Sequence, residues 1–333
     1  MEIIARRSLL RSALGVTGAA LLPLRLAQAQ AIETARIVNG FPPGSTPDVL
    51  SRRVADRLVG NYAKSVIVEN RAGAGGQLAA TTVKNAAADG TTLLMTPLAV
   101  FGLYPLTYSS LPYNVDSDFA PVSLGVRFDI ALAVGPGVPA DVKTVNDFLA
   151  WAKSNPSRAN VGLPALGSPM HFAAVELARL SKVPMQQVGY RGTVAAMPEL
   201  LGGQLPALVS PLGEFLRHIP EGKLRVLATG GASRSRFTPQ VPTFAEQGFK
   251  DLQFQDYFGF YLPAKCTAAQ IQAAHSAIQQ ALGNPQVKES LDTFGMEVSP
   301  STPDELRSIL REYTARWAPV VKATGFKLSL IHI

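Results

Sequence analysis

The chain of 333 residues contains one cysteine, Cys266, so no disulfide closes within it. Charged residues make up only 17% against a usual quarter, a balance that argues against a coiled coil or a disordered chain. Past the N-terminal segment there is no run of Lys and Arg. The densest basic patch, "SRSRF" at 233–237, gives nucleic-acid binding no support. Of the four histidines, His171, His218 and His275 are scattered without cysteines or carboxylates at ligand spacing, which leaves no metal centre to propose. The one long apolar stretch, Ser12 to Leu24, falls short of the roughly 20 residues that a bilayer span requires. "RAGAGGQLA" carries Gly73, Gly75 and Gly76, but Leu78 stands where the third glycine of a dinucleotide fingerprint belongs. A tight turn and no cofactor is the better reading.

What is present is a chain 47% hydrophobic with 28 glycines and 25 prolines, a composition suited to many tight strand-to-helix turns. Residues 1–29 have a basic start, an apolar stretch and small residues at Ala27 and Ala29, the layout of an export signal. Arg6-Arg7-Ser8-Leu9-Leu10-Arg11 resembles a twin-arginine signal, with Leu9 in the usual place of Phe and Arg11 in the place of Lys; the general secretory route is the alternative. Cleavage after Ala29 lowers the formal charge from +7 to +4, with 27 basic and 23 acidic residues left. No cysteine follows to carry a lipid, so a periplasmic, monomeric product is expected.

Short β-branched runs such as "ARIVNG", "SVIVEN", "TTLLMTP", "IALAVG", "ANVGLP", "ALVS" and "RVLATG" read as buried strands. Helical patterns lie between them, which predicts α/β layers with largely parallel strands. Long apolar-aromatic runs at "GVRFDIAL" and "LQFQDYFGFYLP" read as crossings between two lobes.

Three strand-to-helix turns carry the candidate site. In "GFPPGSTPDVLSRR" Thr46 is placed as N-cap and Pro47 at the first helical position, with Leu50, Val54 and Leu58 inward and Gly44 permitting close approach. "PALGSPMHFAAVELARL" repeats the device with Gly167, Ser168 as cap and Pro169. In "YRGTVAAMPELLGG", Gly192 and Thr193 precede a helix and Arg191 adds a charge able to grip a carboxylate. Exposed N–H groups and the positive dipole end make each start an anion site in waiting. The plainer reading of each is a cap that serves folding, and of Arg191 a solvated surface residue. Ser168, Ser210 and His171 sit in no GxSxG elbow, so an enzyme acting on a carboxylate is the lesser alternative.

The blocks "FPPGSTPDVLSRRVADRL", "VIVENRAGAGGQLAA", "DGTTLLM", "LPYNVDSDFAPVSL", "YRGTVAAMPELLGGQ", "GKLRVLA" and "VPTFAEQGF" occur in one order. Together they resemble the Bug/TctC family of extracytoplasmic solute receptors over essentially the whole mature chain. The resemblance implies a type II, two-lobed Venus-flytrap periplasmic binding protein with its ligand cleft between lobes. Residues 30–129 and 255–327 would form lobe 1 and residues 130–254 lobe 2. It also implies a small carboxylate ligand, a dicarboxylate, tricarboxylate or aromatic acid. The partner would be the membrane permease subunits of a tripartite tricarboxylate transporter, or a sensor kinase if the receptor serves signalling.

Carried onto this sequence, the first-lobe ligand loop falls on Phe41, Pro43, Gly44, Ser45 and Asp48, with Ser45 replacing a frequent glycine, and Thr96 represents the second first-lobe loop. In the second lobe the resemblance points to Ala165, Gly167, Ser168 and His171, then to Tyr190, Arg191 and Gly192. Many similar sequences carry Asp where Ser210 stands. Loss of a partner for a ligand amine there implies a carboxylate without an α-ammonium group. At the C-terminus, residues 328–333, Leu-Ser-Leu-Ile-His-Ile, are what CTGTCTCTTATACACATC encodes, which resembles a transposon mosaic end and marks the hexapeptide as a sequencing artefact.

Overall fold

A computed structural model describes residues 32–328. The export-signal reading and the last five residues of the C-terminal hexapeptide lie outside the described residues. Ten strands follow in order: β1 (Ile32–Asn39), β2 (Ala63–Asn70), β3 (Thr92–Pro97), β4 (Phe119–Val134), β5 (Asn160–Leu163), β6 (Gln186–Gly189), β7 (Ala207–Pro211), β8 (Arg225–Thr229), β9 (Gln255–Pro263) and β10 (Met296–Val298). They form two sheets that share β4. The first runs β2-β1-β3-β9-β4 with β10 on the far side of β4, and the second runs β4-β7-β5-β6 with β8 also against β4. The partner of β4 changes at one peptide: Asp129 pairs with Gln255 of β9, and Ile130 pairs with Pro211 of β7.

The two sheets and their helices make the two-lobed α/β fold that the resemblance implies. The expectation of largely parallel strands holds for β2-β1-β3 and for β6-β5-β7. It fails in the middle of the molecule, where β4, β8, β9 and β10 pair antiparallel. "GVRFDIAL" is the inner length of β4, and "LQFQDYFGFYLP" is the whole of β9 with the three residues before it. Both strands are covered on both faces, which erases the two-residue alternation that would reveal a strand. The four-residue β6 and three-residue β10 are too short to show a period.

Helices cover both faces. Thr46–Leu58 buries Leu50, Val54 and Leu58 as its spacing predicts. The last helix, Pro303–Thr324, opens with a capping box between Thr302 and Glu305 and ends at Gly325. Its buried Trp317 stacks on Phe254, ring centroids 5.1 Å apart, and meets Phe172 of the helix Pro169–Ser181 at 5.9 Å. Leu328 is buried, and its N–H donates to the Thr107 carbonyl at 2.7 Å. Among the described residues no helix is long and apolar enough to cross a membrane.

Candidate functional site

The helix Thr46–Leu58 follows β1, and its N-cap is Ser45, with extended φ −74° and ψ 161°, one residue earlier than the sequence places it. The backbone sets the cap, since the Ser45 carbonyl accepts the Val49 N–H at 3.0 Å. The Ser45 hydroxyl turns back to donate to the Pro42 carbonyl at 2.7 Å, and the Thr46 hydroxyl leaves its own turn altogether. From the other sheet, the helix Pro169–Ser181 opens after β5 with Ser168 as N-cap, accepting the His171 N–H at 3.4 Å. The helix Thr193–Leu201 opens after β6, with Gly192 before it at φ +88°. A Cβ on Gly192 would stand 3.2 Å from Pro42 Cδ, so this position favours glycine both for its dihedral angle and for close approach between the lobes.

All three starts meet at one cavity of about 50 Å³, lined by Ser45, Thr46, Ser168, Pro169, Gly192 and Thr193. Phe128 and Phe258, tilted against each other at 4.4 Å, supply an aromatic wall. Helices of thirteen, thirteen and nine residues thus direct their positive dipole ends at the same space. Among the described residues no Lys or Arg lines it, so backbone N–H groups and hydroxyls are what it offers an anion.

Two buried acids also line this cavity, and the sequence reading names neither. Glu214, in the short helix Gly213–Leu216 after β7, accepts the Thr46 N–H at 2.9 Å and the Thr46 hydroxyl at 3.0 Å, both at Oε1. Burial pushes its carboxyl up, while the two Thr46 donors pull the other way. Asp256 on β9 accepts the Tyr257 N–H at 2.9 Å, and burial raises it from its ordinary 3.8 to about 7. The buried Tyr313 hydroxyl lies beside Asp256 but outside hydrogen-bond geometry. Acids are rarely buried unpaired, so an acid inside an apolar run is a usable signal. Asp256 in "LQFQDYFGFYLP" shows it. Glu214 shows another, an acid just past the carboxyl end of a buried strand, where ligands gather in open α/β sheets.

Because the folded Asp256 carboxyl holds its proton more tightly than the unfolded one, its contribution to stability is full below about pH 4 and is lost as pH rises through about 7. Asp256→Asn keeps an acceptor for Tyr257 without the charge. We expect its Tm to exceed that of the wild type by several degrees at pH 8, with the gap narrowing at pH 5 and closing below about pH 4. Parallel pH profiles for the two proteins would rule out a buried, titrating Asp256.

Of the residues proposed from sequence, Phe41, Ser45, Ala165, Ser168 and Gly192 line the cavity. Tyr190 and Arg191 line a wider outer groove of about 600 Å³ that also holds Phe41, Ala165 and Gly192. Arg191 is exposed there, and the Tyr190 hydroxyl donates to Glu199 at 2.6 Å. The rest line neither space. Asp48 organises the first loop, accepting the Gly44 N–H at 2.9 Å, the Asn70 amide at 2.8 Å and Arg52 Nε at 2.9 Å. Pro43 sits exposed in the same turn. Thr96 lies within β3, paired with Gly259, and the next residue, Pro97, reaches the cavity in its place. His171 accepts the Gly167 N–H at Nδ1, 3.2 Å away, and packs edge-on to Phe326. Burial lowers its pKa to about 4, so the ring is neutral and acts as a brace for the Gly167 turn. The Ser210 hydroxyl is paired with that of Thr193 at 2.5 Å, supporting a cavity residue from behind. Glu214, four residues further on, supplies the cavity with the carboxyl that Ser210 lacks, so the absence of Asp at 210 no longer speaks against a ligand amine. Among the described residues no group of three His, Cys, Asp or Glu side chains is placed to hold a metal.

Two α/β lobes joined through a shared strand, with helix starts from each converging on a cleft between them, define a two-lobed periplasmic binding protein, a solute receptor and not an enzyme. The profile described as tripartite tricarboxylate transporter family receptor matches residues 50–326, and the chain belongs to that family. BugT of Bordetella pertussis is 33% identical over 298 residues, covering 88% of this chain and 90% of that protein. Among solved structures, MatC from Rhodopseudomonas palustris with bound malate is 27% identical, with a TM-score of 0.80 over 87% of this chain and 99% of that one. Another R. palustris protein, solved with adipate, is 26% identical, with a TM-score of 0.84 over 90% and 99%.

Proposed function

We propose that the protein is a periplasmic receptor that captures a small carboxylate between its lobes and presents the closed form to the permease subunits of a tripartite tricarboxylate transporter. The observation that carries this reading is the convergence of three helix N-termini, from both sheets, on one cavity without a cationic side chain. Oriented N–H groups balance a carboxylate without the desolvation cost of a buried Lys or Arg. Similar receptors hold malate and adipate, and both are dicarboxylates. Lobe boundaries at 129/130 and 254/255 belong to this reading, and the change of partner along β4 supports them. Arg191, at the outer groove, is suited to drawing anions toward the cleft. Export as a monomer, by the twin-arginine or the general secretory route, belongs to the same reading.

The test is a thermal-shift panel of dicarboxylates, tricarboxylates, aromatic acids and amino acids on the mature chain, refolded to strip carried-over ligand. A true ligand at 100 times its Kd stabilises the fold by about 2.7 kcal/mol, a rise in Tm of at least about 4 °C. A saturable rise with one class of acid, without turnover, is the expected result. A flat panel, or consumption of the acid, would overturn the carboxylate-receptor reading. A sensor-kinase gene beside this one, in place of permease genes, would redirect it from uptake to sensing.

A further inference from the structure

The first-lobe helix start is less open to a ligand than its sequence promises. Four N–H groups open a helix without intrahelical partners. Here that of Ser45 donates to the Pro42 carbonyl at 3.3 Å, Pro47 has none, and that of Thr46 is given to Glu214. Only the Asp48 N–H remains for another acceptor. The Thr46 hydroxyl, the nearest side-chain donor, also goes to Glu214. Glu214 lies 168 residues away in sequence, on the lobe of the second sheet, so this pair of hydrogen bonds spans the cleft.

No Lys or Arg hydrogen-bonds Glu214 among the described residues; Thr46 supplies both of the contacts it accepts. A carboxylate held by one backbone N–H and one hydroxyl at a helix start is the arrangement a bound acid would adopt. The cavity, at about 50 Å³, is also far below the 300 Å³ or more common for small-molecule sites, so a ligand seated at the helix starts, and not only in the outer groove, needs the side chains filling the cavity to move. Glu214 hydrogen-bonds across this cavity from lobe to lobe, while Arg236 pairs with Asp292 and Glu297 across the lobes elsewhere.

We propose that Glu214 is a built-in competitor for the ligand carboxylate. It occupies the first-lobe anion position, latches the lobes together through Thr46, and is displaced when a carboxylate takes those donors. The competitor half of this proposal rests on the carboxylate reading above; the latch half stands on the interlobe contact alone. Glu214 thereby sets an affinity threshold, admitting only acids that bind Thr46 and the second-lobe helix starts better than it does. This is differential stabilisation of two closed forms, one self-liganded and one loaded.

The test uses the full mature chain with spin labels at Lys64→Cys and Lys153→Cys, both exposed and on different sheets' lobes, over wild-type, Glu214→Gln and Glu214→Ala backgrounds. Cys266 is buried and is replaced by Ala if it labels. Without added ligand, the wild type should show mainly the short interlobe distance and Glu214→Ala mainly a longer one. Glu214→Gln, which keeps an acceptor oxygen, should lie between. L-malate and adipate are then titrated as probes. Loss of a competing acceptor should tighten binding of whichever probe the wild type takes by about tenfold in Glu214→Ala.

Identical distance distributions in wild type and Glu214→Ala would overturn the latch, and weaker probe binding in the variant would overturn the competition. Melting curves check that each variant is folded; if Glu214→Ala is not, Glu214→Gln decides both readouts. Distances that behave as expected while neither probe nor any acid of the panel binds would count against the carboxylate reading and the competition, and leave the latch standing.

Discussion

Replacing Trp317 by Ala should destabilise the protein by about 3–5 kcal/mol, the usual cost of emptying a large aromatic site. Trp317 is buried, stacked on Phe254 at an interplanar angle of 13°, and tilted against Phe172. The cavity left behind could not collapse easily. Its walls are a strand-end residue, a helix of the second lobe and the Trp317 helix itself, each held by other contacts, including Phe326 against His171 and Phe172. Urea unfolding should show a midpoint well below that of the wild type at an unchanged slope, and thermal unfolding a Tm lower by about 6 °C or more. Trp317→Phe, which refills part of the space, should recover about half. The functional consequence follows from position. Trp317 braces the helix Pro169–Ser181, whose first residues line the cavity, so ligand affinity should fall with the stability. A Trp317→Ala protein as stable as the wild type would mean that the aromatic cluster is not packed as described.

Gly213→Ala is the second large effect. A Cβ at Gly213 would stand 1.7 Å from the Phe294 carbonyl oxygen, and the obstacle is backbone that no rotamer change relieves. Overpacking of this kind commonly costs 1–3 kcal/mol, and with a backbone obstacle about 3 kcal/mol is expected. The helix Gly213–Leu216 or the turn at Phe294 must move by more than an ångström. Glu214 moves with the helix, so its bonds to Thr46 should break, and in the spin-label experiment Gly213→Ala should resemble Glu214→Ala. Gly283→Ala is the matched control. Nothing lies within 4 Å of its Cβ position at the end of a helix, so it should be neutral or stabilising by up to about 1 kcal/mol. Equal stability of Gly213→Ala and Gly283→Ala would exclude the close backbone approach at Phe294.

The three helix starts are legible in the sequence to within one residue. Ser168 and Pro169 stand where their pattern puts them, and Gly192 precedes its helix at a positive φ. The first cap is Ser45 and not Thr46, whose hydroxyl is engaged by a distant group, Glu214 across the cleft. Strands flanked by glycine and proline are legible too. The antiparallel centre of the molecule is not, since β4 and β9 are apolar on both faces and give no period to read. Among the site residues, Asp48, His171 and Ser210 sit close to the cavity in sequence but turn to hold the loops that line it. Whether a polar side chain near a turn faces the ligand or its own loop depends on one rotamer and one partner, which residue spacing does not encode.

By itself the sequence determined the family, the α/β class and the existence of several prepared helix starts. Those features rest on interactions among residues within about four positions of each other, or on ordered blocks matched along the chain. Only the tertiary structure decided that three of these starts meet at one cavity, that Glu214 and Asp256 are buried beside them, and that the first start is engaged by an acid from the other lobe. The physical reason is the topology. β4 carries the chain from one sheet into the other, and that crossing brings residues 168 positions apart to within a hydrogen bond of each other.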